Sequence, residues 1–120
     1  MRWLEIVTYE KRGLMGKYQC VVTVVSRGKG HDVVDASRRK GAKGGTILKG
    51  KGTSLFELKK LFSGAFEAEK EIVITLIEAE KAQTVMDEIR QALEIDEPGH
   101  GVIFVLNVES VEGLLKTASL

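Results

Sequence analysis

Tyr18-Gln19-Cys20-Val21-Val22-Thr23-Val24-Val25-Ser26 is the stretch on which the fold of this chain turns. It is a β-branched run closed by Arg27-Gly28-Lys29-Gly30, and a run of that composition bounded by glycines reads as a strand. Successive side chains of a strand point to opposite faces, so Cys20, Val22 and Val24 share one face while Val21 and Val25 share the other. Both faces are apolar, and the strand therefore needs cover on both sides.

Downstream, the spacing predicts a helix over 31–40 with Val33, Val34 and Ser37 on one side, and Gly41 is placed to end it in a left-handed conformation. Gly44-Gly45-Thr46-Ile47-Leu48 reads as a short second strand whose two glycines imply a tight bend or close backbone approach. Residues 49–68 read as a long connection, with a capping box at Ser54-Leu55-Phe56-Glu57 and a short helix through Phe62. A third strand is expected at 71–77. A second helix is expected at 79–93, where Ala82, Val85, Met86, Ile89 and Leu93 recur at spacings of three and four. A last strand is expected at 102–108, after a turn holding the single proline, Pro98.

The order strand, helix, strand, strand, helix, strand is the α+β, ferredoxin-like βαββαβ plan, a four-stranded antiparallel sheet with two helices on one face. The third and last strands, like the first, are apolar on both sides. Two helices cover one face, so the other must meet something apolar, and further copies of the same chain are the simplest cover. The expectation is a homo-oligomer. Residues 1–17 form an N-terminal extension in which 3–9 (WLEIVTY) has strand-like composition. It fits an extra edge strand or a flap against a neighbouring subunit. Residues 18–113 form the domain and 114–120 a tail.

With 120 residues, 43% hydrophobic and 29% charged, the chain has material for one domain with a real core. Cys20 is the lone cysteine, so no internal disulfide can form, and a buried structural thiol is expected. No Cys/His cluster has zinc spacing, so no metal site is expected. The N-terminus lacks the apolar stretch of a signal peptide, and no segment approaches the roughly 20 apolar residues of a membrane span. The expected place is the cytoplasm, without membrane insertion.

The net charge of +1 hides an asymmetry: ten Lys or Arg against three acids over 27–60, and ten acids against three bases over 67–97. Two solvated faces account for this, and an anion site supported by the basic half is the sharper alternative. Phe56 is the basic half's main aromatic, so a stacking surface for nucleic acid is not expected. Residues 45–51 resemble a phosphate-binding P-loop until Gly52 stands where Ser or Thr is required.

Three segments together resemble the PII signalling proteins: Gly41-Ala42-Lys43-Gly44-Gly45-Thr46, residues 69–77, and Gly99-His100-Gly101-Val102-Ile103-Phe104-Val105-Leu106-Asn107-Val108. In the last, the family has a Gly-Asp-Gly-Lys turn before an Ile-Phe-Val run. The resemblance covers residues 18 to about 113. It implies a trimer with inward-facing sheets, ATP or ADP held in clefts between subunits, often with 2-oxoglutarate, and a long loop, here 51–68, that reaches a protein partner. It also implies a role in nitrogen regulation without catalysis.

Carried over by resemblance, Thr46 would contact adenine, and Gly99, His100 and Gly101 would form the phosphate turn, where closely spaced glycines let backbone N–H groups approach an anion. Gly50 and Gly52 would open the partner loop. Three departures stand out. Val102 replaces a phosphate-contacting lysine, and Gly113 and Leu115 replace two arginines. Each such cation is worth roughly 1.5–3 kcal/mol in charge-assisted hydrogen bonds. Lys43, Lys49, Lys51 and Lys116 are the candidate replacements, with ATP, ADP or AMP as ligand and no covalent cofactor. The loop has no tyrosine to be modified, and its short apolar helix either packs on its own trimer or docks a partner. Alternatives to the sensor are a trimeric interaction module that has lost nucleotide binding, and a metal-tolerance-type trimer of the same architecture. Glu78, Glu80 and Glu88 read as a solvated helix face, His31 as a solvated turn residue, and no nucleophile–base pair supports an enzyme.

Overall fold

The computed structural model describes residues 17–53 and 68–114. The elements are β1 (Tyr18–Ser26), α1 (Gly30–Arg39), β2 (Thr46–Gly52), β3 (Ala68–Glu78), α2 (Ala79–Leu93) and β4 (Val102–Asn107). They build the expected ferredoxin-like domain, one antiparallel sheet in the order β2-β3-β1-β4. The expected N-terminal strand, the helix from Ser54 to Phe62, Leu115 and Lys116 lie outside the described residues.

β1 lies in the interior of the sheet, where apolar residues on both of its faces suit it, and it pairs with β3 on one side and β4 on the other. Its Val21 and Val25, with Val73 and Ile77 of β3, meet Val33 and Ala36 of α1 and Ala82, Val85 and Ile89 of α2 in a fully enclosed core. Each large aliphatic side chain buried there contributes about 1.5–3 kcal/mol. α1 ends as its glycine predicts. Gly41 takes φ +107, its N–H donates to Arg38 O, and the Ala42 N–H donates to Ser37 O, which closes the open carbonyls of the last turn. α2 makes the same turn on a residue that resists it, Glu94, at φ 53 and ψ 48.

Three expectations need correction. The second strand does not begin at Gly44 and end at Leu48. It runs from Thr46 to Gly52, and β3 starts at Ala68 rather than 71, so the pairing continues from Thr46↔Ile74 out to Gly52↔Ala68. Residues 51, 52 and 68, assigned to the partner loop, are therefore strand. The arms are charged and glycine-rich, which mimics a loop in sequence. Lys49↔Glu71 and Lys51↔Glu69 nevertheless stand as opposite-charge cross-strand pairs, and a side chain at Gly50 would press to 3.0 Å from Ile72 Cδ1. The third correction is Cys20, which is half-buried on the uncovered face rather than enclosed; that partial burial pushes its thiol pKa up.

The uncovered face is the second consequence of β1's composition. Opposite the helices, Val22 lies between Ile74 and Phe104, and Val24 between Ile72 and Val102. Leu48, Val102, Phe104 and Leu106 on this side stay 42–52% exposed.

Inside the core, Thr23 and Thr75 are fully buried and their hydroxyls have no hydrogen-bond partner among the described residues. An unsatisfied buried hydroxyl costs about 1–3 kcal/mol. Thr75→Val, which keeps the shape and removes the orphan, is expected to raise stability by about 1–2 kcal/mol in urea unfolding.

Candidate functional site

The candidate residues fall in three places. Thr46 opens β2 and is exposed on the outer edge of the sheet. Together with Lys43, Gly44 and Gly45 it borders a cleft of about 410 Å³ floored by Ile74, Leu76 and Leu114, with Tyr18 and Glu78 on the rim. Leu114 reaches this cleft past Gly113, which takes φ +87 with open space around it. Glu78 is drawn into a 2.9 Å ion pair with Lys81, whose ammonium holds the carboxyl below its ordinary range and is itself shifted upward.

Lys49, Gly50 and Lys51 lie further along β2 and line a second cleft of about 310 Å³ with Arg27, Glu69, Lys70 and Glu71. Its basic character is partly answered from within, because Arg27 pairs with Glu69 at 2.6 Å. Glu71 accepts from the Gly28 N–H at 3.0 Å and the Gly30 N–H at 2.7 Å. α1 has no capping side-chain hydrogen bond at Lys29, and a carboxylate from β3 instead accepts from its first N–H, at Gly30, and from the Gly28 N–H just before it. The fit is close, since a Cβ at Gly30 would stand 2.6 Å from Glu71 Oε1. These two donors, Gly28 first, hold the Glu71 carboxyl below its ordinary value of 4.5. Gly52 closes β2 opposite Ala68.

Gly99, His100 and Gly101 lead into β4 at the other edge of the sheet. The His100 N–H donates to Glu97 O, and its Nδ1 lies 3.3 Å from Leu93 O at the end of α2. Gly99 takes φ +81 and Gly101 φ +139. A Cβ at Gly101 would stand 2.5 Å from the Val24 carbonyl oxygen, so this glycine is required by the packing of β4 on β1 whatever the turn binds. β3 and β1 lie between β2 and β4, three strand spacings of about 4.8 Å, so the two groups of glycines do not converge within one chain. Val102 stands half-exposed on the apolar face.

Sequence reasoning missed Glu71 as the cap of α1. The signal was present in Gly28-Lys29-Gly30, a helix start with no Ser, Thr, Asp or Asn. Two of the acids read as a solvated face form ion pairs, Glu78 with Lys81 and Glu88 with Arg39 at 2.8 Å. Among the described residues, no cluster of three His, Cys, Asp or Glu could hold a metal ion, and no helix is long and apolar enough to cross a membrane.

A sequence model of one family, described as "Nitrogen regulatory protein P-II", matches residues 18–117. Among solved structures, the crystal structure of Arabidopsis thaliana PII bound to citrate is similar with a TM-score of 0.62 at 22% identity, over 78% of this chain and 79% of that one. At that identity the likeness is one of fold. No curated protein sequence matches.

Two outcomes follow from the geometry. Gly101→Ala is expected to lower stability by about 3 kcal/mol in chemical unfolding, from collision with a backbone carbonyl and a strained φ. Glu71 has its folded pKa depressed, so its stabilisation is present above the unfolded value and lost as pH falls through the folded one. Glu71→Gln should therefore melt lower than wild type at pH 7, with the difference closing below pH 4.5 in melts recorded from pH 7 to 3.

Proposed function

This chain belongs to the nitrogen regulatory protein P-II family, and from that premise we propose that it is a trimeric sensor of an adenine nucleotide or related anionic metabolite. The ligand would sit in clefts between subunits and act on a protein partner through the connection that follows β2. Membership makes it a PII-like regulatory protein; the ligand, the trimer, the partner and action in the cytoplasm are the proposal. The observation that carries it is the division of the candidate site. Thr46, Gly50 and Gly52 lie on one edge of the sheet, while Gly99, His100 and Gly101 lead into the other. A site using both groups needs two copies, and the uncovered apolar face supplies a reason for copies to associate.

Ligand binding at such a cleft would touch β2 directly, and β2 and β3 carry the connection as paired arms out to Gly52 and Ala68. Differential affinity for two arrangements of that connection is then enough to change a partner interaction. The citrate bound to the Arabidopsis protein makes a small polycarboxylate a further ligand to try. A second reading, an interaction module without nucleotide binding, is favoured by Val102, an apolar side chain half-exposed where the family has a cation.

Isothermal titration of the trimer, its mass established by sedimentation, with ATP, ADP, AMP, 2-oxoglutarate and citrate tests the proposal. Binding of at least one nucleotide is expected, with ATP and AMP within about tenfold of each other because few cations await the outer phosphates. Lys43→Ala should weaken binding roughly tenfold or more. A folded trimer giving no heat with any of them, or sustained ATP hydrolysis, would overturn it, the first result in favour of the interaction module.

A further inference from the structure

The two edges of the sheet are protected unequally. β2 presents Lys49 and Lys51, both exposed, and lysines on an edge discourage pairing with another strand. β4 (VIFVLN) has no charge and no proline, and its pairing to β1 runs without a bulge from Gln19↔Asn107 to Val24↔Val102. It is also apolar on both faces. Phe104 and Leu106 lie on the open side, Ile103 and Val105 on the helix side, and Val105 is still 37% exposed. Beside it a groove of about 310 Å³ is lined by Met86, Ile95 and Ile103 on its apolar side and by Gln83, Asp87, Arg90 and Asp96 on its polar side. An edge with these properties is a template for one more strand.

Sixteen residues precede the described chain, and the family match begins only at residue 18, so they are an addition to the family domain. Residues 3–9 (WLEIVTY) place Trp3 and Val7 on one side of an extended segment and Leu4 and Ile6 on the other. That two-sided pattern suits an edge open on both faces, and seven residues match the six of β4. The route is short. β1 begins beside the end of β4, where the Val108 N–H donates to Tyr18 O. From Tyr18 to the outside of β4 is two strand spacings, about 10 Å, and residues 10–17 span up to about 26 Å when extended. The β2 edge is less accessible, since β2 begins opposite Ile74, four residues short of Glu78, the partner of Tyr18.

We propose that residues 3–9 add a fifth strand along the free edge of β4 in their own chain. The sheet then reads β2-β3-β1-β4 followed by the N-terminal strand. The bare apolar edge is closed without a second molecule, and the turn at Gly99-His100-Gly101 gains a neighbouring strand.

Amide hydrogen exchange on the full chain, read residue by residue, tests this. With the fifth strand present, all six amides of β4 are protected, including the alternate ones that point away from β1. Ile6→Pro and Val7→Pro are made separately, because successive N–H groups of a strand face opposite ways and one of the two prolines must remove a bond. That variant should speed exchange of the outward β4 amides about a hundredfold or more while β1 and β3 stay protected. Emission of Trp3, the chain's single tryptophan, should move toward its value in water in parallel. Unprotected outward amides in the wild-type chain overturn the proposal whether or not either variant folds. So does protection that survives both prolines and rises with protein concentration, which would assign the edge to a second copy.

Discussion

Two helices can roof one side of a four-stranded sheet and no more, and in this chain the central strand is apolar on both sides. Val21 and Val25 are satisfied by α1 and α2, whereas Val22 and Val24 look the other way, flanked by Ile74, Ile72, Phe104 and Val102. The positions of the other elements follow from that strand. β3 and β4 flank it because they share its two-sided composition, and β2, which is largely polar along its second half, is left at an edge. A sheet built this way is half a sandwich. The free energy available from covering its second face is of the same kind as that already gained in the core.

Much of this was readable from the residues. β1 and α2 were predicted with the bounds observed, because a β-branched run and a clean three-four spacing are local signals that tertiary structure had no reason to override. The arms of β2 and β3 were not. Lys49, Gly50, Lys51 and Gly52 are poor strand formers in isolation, and only their partners across the ladder, Glu71 and Glu69 above all, make that stretch extended. Glu71 was invisible as a cap for a similar reason. It reaches the start of α1 from more than forty residues away, and local motifs describe only caps supplied from within a few residues. The candidate site was legible as a set of glycines and lysines but not as a place, since spacing along a chain does not say which strand will be an edge.

The electrostatics show the same dependence on pairing. The basic half and the acidic half of the sequence are interleaved in space by the β2–β3 ladder and by the Arg39–Glu88 bridge between the helices. Several cations that could have formed an anion site therefore face carboxylates instead. The start of α1, ordinarily an attractive place for a bound anion, already holds the Glu71 carboxylate on its Gly30 N–H. An incoming phosphate or carboxylate would have to find charge elsewhere, and Lys43, at the opposite end of β2, stands on the rim of a cleft floored by Ile74 and Leu76.

Glu71 also bears on how the strands find their alignment. In a sheet with one wet face, sliding a strand by one residue turns its apolar side chains to water, and that penalty selects the correct register. Here β1 and β3 carry apolar side chains at successive positions, so a slipped pairing would present nearly as much oil to the helices as the correct one. Hydrophobicity alone discriminates poorly between them. The discrimination falls to features that tolerate a single alignment: a carboxylate on β3 that must meet two amides just past the end of β1, and a glycine before β4 that alone fits beneath the Val24 carbonyl. In this chain a polar contact and a missing side chain act as the ruler for an otherwise ambiguous sheet.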